Sequence, residues 1–433
     1  MYRLRASKPH LVWFLLAFCL GTVPFVTAQS ASACALPPRL TIGQRGQVIG
    51  TSPNNLRAAP ARSADLIGMI DGGGLFTVLA GAACDPTSGI NWWQVDYAGQ
   101  TGWTAEGDSQ NYFVEPINPA LLYRTDELVT GAGEEGRADL ALVDLVTGEN
   151  RVLTTNIPQE LSAGQLVRLG MFAWTPAGDK IAFTAEIYEP FIRTIDQSVY
   201  LMNPDGSGKC LLAEDMTIIE NGLYAVMPSE PTESDGAPLD FPTCENPSPF
   251  LPSGYRFMVE PVQIGVAFNQ TTGDRIQLTD RTIGDALYGS RVSPDQTTAA
   301  LVLSDKDYHY SLFLTPLANP QPQLVTLDAE PTTALGWSPD SQSLLVATQD
   351  DLSGIVLLVR INAVTGEQTV IYEGETYGYD LSAPVWSPSG EQIAFSIGTE
   401  AGEPHLTVMN ADGSDLRQLD TPISHGQIVW RPE

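Results

Sequence analysis

Histidine is the first side chain to consider for proton transfer or zinc ligation, because its imidazole titrates near neutral pH. The chain has four. His10 lies in an N-terminal leader, which leaves His309, His405 and His425, too far apart in sequence to form a zinc motif by spacing. A Gly-x-Ser-x-Gly elbow, a His-Glu-x-x-His helix and a phosphate-binding loop are all absent from the sequence. Asn410-Ala-Asp412-Gly-Ser-Asp415 has the oxygen donors of a calcium loop, yet its register matches a series of hairpin turns described below. No catalytic residue, metal site or cofactor is therefore predicted. A site assembled from scattered Asp, Glu and His across a fold would leave no local motif.

The leader sets the compartment. Arg3, Arg5 and Lys8 precede an apolar run over residues 11–26, and Val26-Thr27-Ala28 places small residues where a signal peptidase cuts. Residues 1–28 are predicted to be a signal peptide and the protein to be exported: secreted, periplasmic or held at the cell surface. The rival reading, an uncleaved anchor, needs ~20 apolar residues, whereas this run is broken by Gly21 and Pro24. No later stretch is apolar enough to span a bilayer. Four cysteines remain, Cys34, Cys84, Cys210 and Cys244, an even number that suits disulfides in an exported chain. Of three possible pairings, membership of common domains favours Cys34 with Cys84 and Cys210 with Cys244. Ala31-Ser32-Ala33 before Cys34 leaves a lipid-modified cysteine as the alternative. With 51 Asp+Glu against 22 Lys+Arg, the surface repels phosphate backbones and anionic lipid, so nucleic acid is not an expected partner.

Residues 29–116 read as short strands divided by Gly, Pro and Asn. A Gly-Gly-Gly turn at 72–74 separates an Ile67-Gly68 strand from Phe76-Thr-Val-Leu. Residues 92–103 then alternate, Trp93, Val95 and Tyr97 on one face and Trp92, Gln94 and Asp96 on the other, before a turn at Ala98-Gly99. A small barrel of about five strands is expected. On this alternation Trp93 and Val95 are core, and Trp92 is the candidate stacking residue for a ligand, joined by Tyr97 or Trp103 if a rim forms.

From residue 117 onward a motif repeats: an apolar residue, then Ser or Thr, Pro, a polar turn and an apolar strand. It recurs at Trp174, Val292, Trp337, Trp386 and Trp430, with Arg431-Pro432 after the last and a degraded copy at Val226-Met227-Pro228. Successive spacings of 52, 66, 45, 49 and 44 residues in β-rich sequence indicate propeller blades, the longest falling where the insertion described below lies. A second series of hairpin turns begins at Asp144, Asn203, Asn269, Asn362 and Asn410, with a sixth around Leu317, so six blades are predicted over 117–433. Trp174, Trp337, Trp386 and Trp430 should be structural, each ending an innermost strand and packing between blades. Residues 427–430 form an inner strand with no blade after it, so they should complete the first blade and remove an open edge. The third blade is eroded and carries a Pro-rich insertion over 228–252.

Two family resemblances follow from these residues. Asn55-Leu56-Arg57, Pro60, Ile67-Gly68, Trp92, Val95, Gly99 and Gly102-Trp103 resemble the bacterial SH3-like domain. Residues 386–395, and more loosely 174–183 and 337–346, resemble the Trp-Ser-Pro-Asp-Gly-x-x-Ile-Ala-Phe repeat of the TolB-type six-bladed propeller. The implied fold is all-β, an SH3-like small barrel followed by a six-bladed propeller. The implied function is a non-enzymatic exported binding protein whose first domain contacts cell-wall or envelope material or a protein, and whose propeller binds a protein or peptide. The same repeats occur in propellers attached to peptidases, so a propeller-based hydrolase or lyase acting on envelope polymers or peptides is the alternative.

Overall fold

The structure is a computed structural model that describes residues 34–126, 138–158, 166–175, 177–189, 193–214, 216–220, 224–228, 239, 241–244, 255–259, 265–269, 275–279, 286–349, 355–375, 383–397, 404–423 and 426–432. The predicted signal peptide and most of the Pro-rich insertion lie outside these residues. All regular elements among the described residues are β-strands, and no helix is long and apolar enough to cross a membrane.

The first seven strands form one sheet: β1 (Arg45–Val48), β2 (Asn54–Arg57), β3 (Leu66–Ile70), β4 (Leu75–Asp85), β5 (Ile90–Tyr97), β6 (Gln100–Ala105) and β7 (Val114–Pro116). Their order is β3-β2-β6-β5-β4-β1-β7, so the sheet holds more strands than the five read from the sequence. A two-residue turn joins β5 to β6, and both Ala98 and Gly99 have the positive φ that such hairpins need. Leu56, Ile70, Phe76, Val78, Trp93, Val95 and Val114 make its core. A Cys34–Cys84 disulfide ties the segment before β1 to β4.

The rest of the chain forms a propeller-like ring of small antiparallel sheets. Its strands are β8 (Ala120–Asp126), β9 (Ala138–Asp144) and β10 (Asn150–Val152); β11 (Leu166–Trp174), β12 (Ile181–Glu189), β13 (Arg193–Met202) and β14 (Cys210–Ala213); β15 (Met216–Glu220) and β16 (Tyr224–Pro228); β17 (Tyr255–Val259), β18 (Gly265–Asn269) and β19 (Arg275–Gln277). Then come β20 (Ala286–Val292), β21 (Thr298–Ser304), β22 (Tyr310–Pro316) and β23 (Gln323–Val325); β24 (Glu330–Trp337), β25 (Ser343–Gln349), β26 (Ile355–Asn362) and β27 (Gln368–Glu375); β28 (Val385–Trp386), β29 (Gln392–Ile397), β30 (His405–Asn410) and β31 (Arg417–Pro422); and β32 (Ile428–Trp430). Five sheets have four strands; β15–β16 and β17–β19 form smaller ones where the third blade was read. The motif copy at Val226–Pro228 was expected to be an innermost strand. It instead closes β16, which pairs with β15 rather than with a following strand of its own blade.

Apolar faces meet in series around the ring. Leu122, Leu140 and Leu142 pack against Phe172, Phe183 and Tyr200 of the next sheet, while the other face of the first sheet, Leu121, Ala141 and Val143, meets Ala394, Leu406 and Val408 of the last. β32 pairs with β8, Trp430 opposite Leu121 and Ile428 opposite Tyr123, so the chain's last strand lies in the first sheet of the ring.

The turns follow from their own residues. In the Ser-Pro-Asp turn Ser338 Oγ donates to Asp340 Oδ1 at 2.6 Å and accepts the Ser343 backbone N–H at 2.9 Å, closing the turn as an N-cap does. Ser293 and Asp295 repeat the arrangement at 2.6 Å, and Thr175 reaches Asp179 at 2.7 Å. The second disulfide, Cys210–Cys244, fastens part of the insertion along β14, where Cys244 N–H donates to Leu211 C=O and Leu211 N–H to Pro242 C=O, both at 2.8 Å. That segment covers a strand edge which would otherwise stand open.

Candidate functional site

Trp92, read as the exposed candidate of the first sheet, is buried with 2% exposure. The first four residues of β5, Ile90 to Trp93, are all buried, so both faces of this strand are covered and alternation does not separate core from surface. Trp92 packs with Ile90 and Ala105, and Trp103 and Phe113 lie against them, while Tyr97 belongs to the cluster on the opposite face. Trp92, Trp103 and Tyr97 therefore form no common rim. Tyr97 is held by its hydroxyl, which donates to Asp71 Oδ2 at 3.0 Å.

In the ring, three tryptophans share one geometry. The indole N–H of Trp337 donates to Arg291 C=O at 3.2 Å, that of Trp386 to Gly336 C=O at 3.1 Å, and that of Trp430 to Val385 C=O at 2.9 Å. Each acceptor is the residue before the matching motif position of the preceding sheet. Trp174 differs: the Arg431 guanidinium lies 5.1 Å from its ring centroid, and its indole N–H has no partner among the described residues. These tryptophans line a central cavity of about 300 Å³ together with Pro294, Pro388 and Pro432.

The histidines do not converge. His405 opens β30, its Nδ1 buried without a partner among the described residues, and His425 lies outside them. His309 sits in the β21–β22 turn and contacts Glu330 at 2.8 Å. Among the described residues no group of three His, Cys, Asp or Glu could hold a metal ion.

A cavity of about 720 Å³ lies beside that pair. Tyr288 of β20, Tyr310 of β22 and Tyr308 of the β21–β22 turn supply its aromatic wall; Asp328, Glu330 and Gln349 supply polar groups. Tyr288 and Tyr310 meet edge to face, centroids 5.0 Å apart. Asp305 builds the turn: its Oδ1 accepts the N–H of Asp307 at 2.8 Å and of His309 at 3.0 Å. The turn holds Tyr308 at φ 66°, unusual for a bulky residue, and leaves it 70% exposed. Glu330 raises the His309 pKa through the hydrogen bond and its charge, with Asp305 and Asp307 adding to it. Burial raises the Tyr310 hydroxyl, with Tyr288 second.

None of these cavity residues was singled out from the sequence. The available signal was Asp305-Lys-Asp-Tyr-His-Tyr310, an aromatic run in a tight turn, but Asp328 and Glu330 are remote in the chain and only sheet packing brings them alongside.

The first sheet contacts the other end of the ring strands. Arg45 Nη2 donates to Ala177 C=O at 3.0 Å, and Gly50 N–H to Asp205 Oδ2 at 2.9 Å. Gly73, at φ 75°, approaches Asn203 so closely that a Cβ there would lie 2.8 Å from its Oδ1. Ala177 and Asn203 to Asp205 lie in the β11–β12 and β13–β14 turns, whereas the tyrosine cavity lies where inner strands begin and second strands end. Its mouth therefore opens at the ends of the ring strands away from the first sheet.

No protein-family model matches the chain, and no curated protein matches it. Among solved structures, it is similar to TolB from Acinetobacter baumannii at TM-score 0.47 and 15% identity, over 79% of each chain. It is similar to a chain of a nidogen/laminin complex at TM-score 0.40 and 10% identity, covering 72% of this chain and 98% of that one. Likenesses this distant carry no functional argument; the ring rests on its own strand pairings and packing.

Proposed function

We propose that this is an exported, non-enzymatic binding protein: an SH3-like first domain over 29–116 that meets envelope material or a protein, and a six-bladed ring over 117–433 that serves as a platform for a protein or peptide. The observation that carries the reading is the tyrosine cavity, an aromatic concavity with a few polar groups at the ring end the first sheet leaves open. Aromatic side chains of this kind supply contact area at low entropic cost. The two disulfides suit an oxidising compartment.

Site-specific photocrosslinking in envelope preparations tests it. A crosslinker at Tyr308 should trap a defined partner, while one at Val364, equally exposed in the β26–β27 turn at the other end, should not. Equal trapping at both positions, or none at Tyr308, would remove the platform reading. The second reading, a hydrolase or lyase acting on envelope polymers or peptides, draws on His309 and Glu330, a proton-transfer pair at the edge of the same cavity. Turnover of envelope fragments that disappears in His309→Gln would replace binding with catalysis.

A further inference from the structure

We propose that the tyrosine cavity recognises a cationic side chain, arginine or lysine, presented by a basic segment of a protein or peptide partner. This rests on the reading of the cavity as the ring's binding site and names what it selects.

Three features of the wall agree. Tyr288, Tyr308 and Tyr310 present aromatic faces and edges at one concavity, and the face of an aromatic ring attracts a cation through its quadrupole. Among the described residues the lining contains two carboxylates, Asp328 and Glu330, and no lysine or arginine. Asp328 is exposed and carries no hydrogen bond or ion pair among the described residues, so its oxygens are available to a guanidinium or ammonium group. The adjoining turn adds Asp305 and Asp307 against Lys306, and the whole chain's excess of acid draws cations toward the mouth. At about 720 Å³ the cavity exceeds one side chain, leaving room for flanking peptide.

An uncharged sugar would also stack on tyrosine. It would not use the charge. An anionic polymer would be repelled by the same carboxylates.

Calorimetry on the full chain separates these ligands with three probes: an acetylated, amidated Gly-Arg-Gly-Arg-Gly peptide, its citrulline analogue, which has the shape without the charge, and chitotetraose. The arginine peptide should bind at least tenfold more tightly than the citrulline one. Asp328→Asn, an exposed and conservative change, and Tyr310→Leu should each weaken it at least tenfold, whereas Tyr310→Phe should retain most of the affinity. Equal binding of the citrulline peptide, preference for chitotetraose, or arginine binding indifferent to Asp328→Asn and Tyr310→Leu would each overturn the proposal. Crosslinking of a partner at Tyr308 that survives Asp328→Asn would defeat cation recognition while leaving the platform in place; loss of crosslinking in the wild type would defeat both.

Discussion

Arg431, the residue after the last ring strand, donates from Nη2 to Oε1 of Gln47 in β1, 384 positions earlier in the chain. Gln47 is 2% exposed and also donates to Gly73 C=O at 3.0 Å, so the strand that completes the first ring sheet is continuous with the contact that seats the first sheet. Burial depresses the Arg431 pKa to about 10, offset in part by the charge of Glu115, whose own carboxyl burial raises.

A charge kept at such a place is tied to its partners. Arg431→Ala should destabilise the protein by about 2–4 kcal/mol, because it leaves the buried Gln47 acceptor without its donor and removes one of the positive charges, beside that of Arg151, that offset the burial of Glu115. Chemical denaturation measures this. A loss below about 0.5 kcal/mol would mean that the contact is immaterial to seating the first sheet.

Truncation before Gln427 should open the edge of β8. It removes β32 and also the Gln427 side chain, whose amide bridges Phe172 N–H and C=O at 3.1 and 2.7 Å. The expected product aggregates or is proteolysed within the ring, while residues 34–116 keep their hydrogen-exchange protection. A truncated ring that melts like the full chain would show that β32 does not carry closure.

Trp92 now belongs with the core. Trp92→Ala should cost ~3–5 kcal/mol by leaving a cavity. Trp92→Phe should cost distinctly less, since the Trp92 indole N–H is buried without a partner among the described residues and its removal forfeits no hydrogen bond there. Thermal melts of the two variants decide it; a Trp92→Ala protein as stable as the wild type would restore the exposed reading.

His309 should titrate above its ordinary value of 6.5, held up by Glu330 first and then by Asp305 and Asp307. A raised imidazole pKa favours the protonated form in the folded state. Any stability the pair confers is present below the unfolded value and lost as pH rises through the raised one. Because protonated His309 neutralises Glu330, binding of a cationic peptide should strengthen over that same rise. Histidine NMR titration checks the shift, and Glu330→Gln should lower it; a pKa unmoved by that change would exclude the pair as its cause.

Much of the ring was legible because its signals are local. Ser-Pro-Asp closes its own turn through the Ser338 and Asp340 side chains, and Asn362 or Asn410 starts a hairpin within six residues, so sequence alone placed strands, turns and the Cys210–Cys244 pair. The position of the last strand beside β8 was legible too, from an inner strand left without a blade. Tertiary structure decided the rest. Period-two alternation distinguishes two faces of a strand but not which is covered, and over Ile90 to Trp93 of β5 both are, which buries Trp92. Tyr288, Tyr310 and Glu330 lie on three strands of two neighbouring sheets, and Gln47 meets Arg431 from the far end of the chain. Such encounters depend on how sheets pack side by side, and no residue's local preference encodes which distant neighbour will stand across the gap.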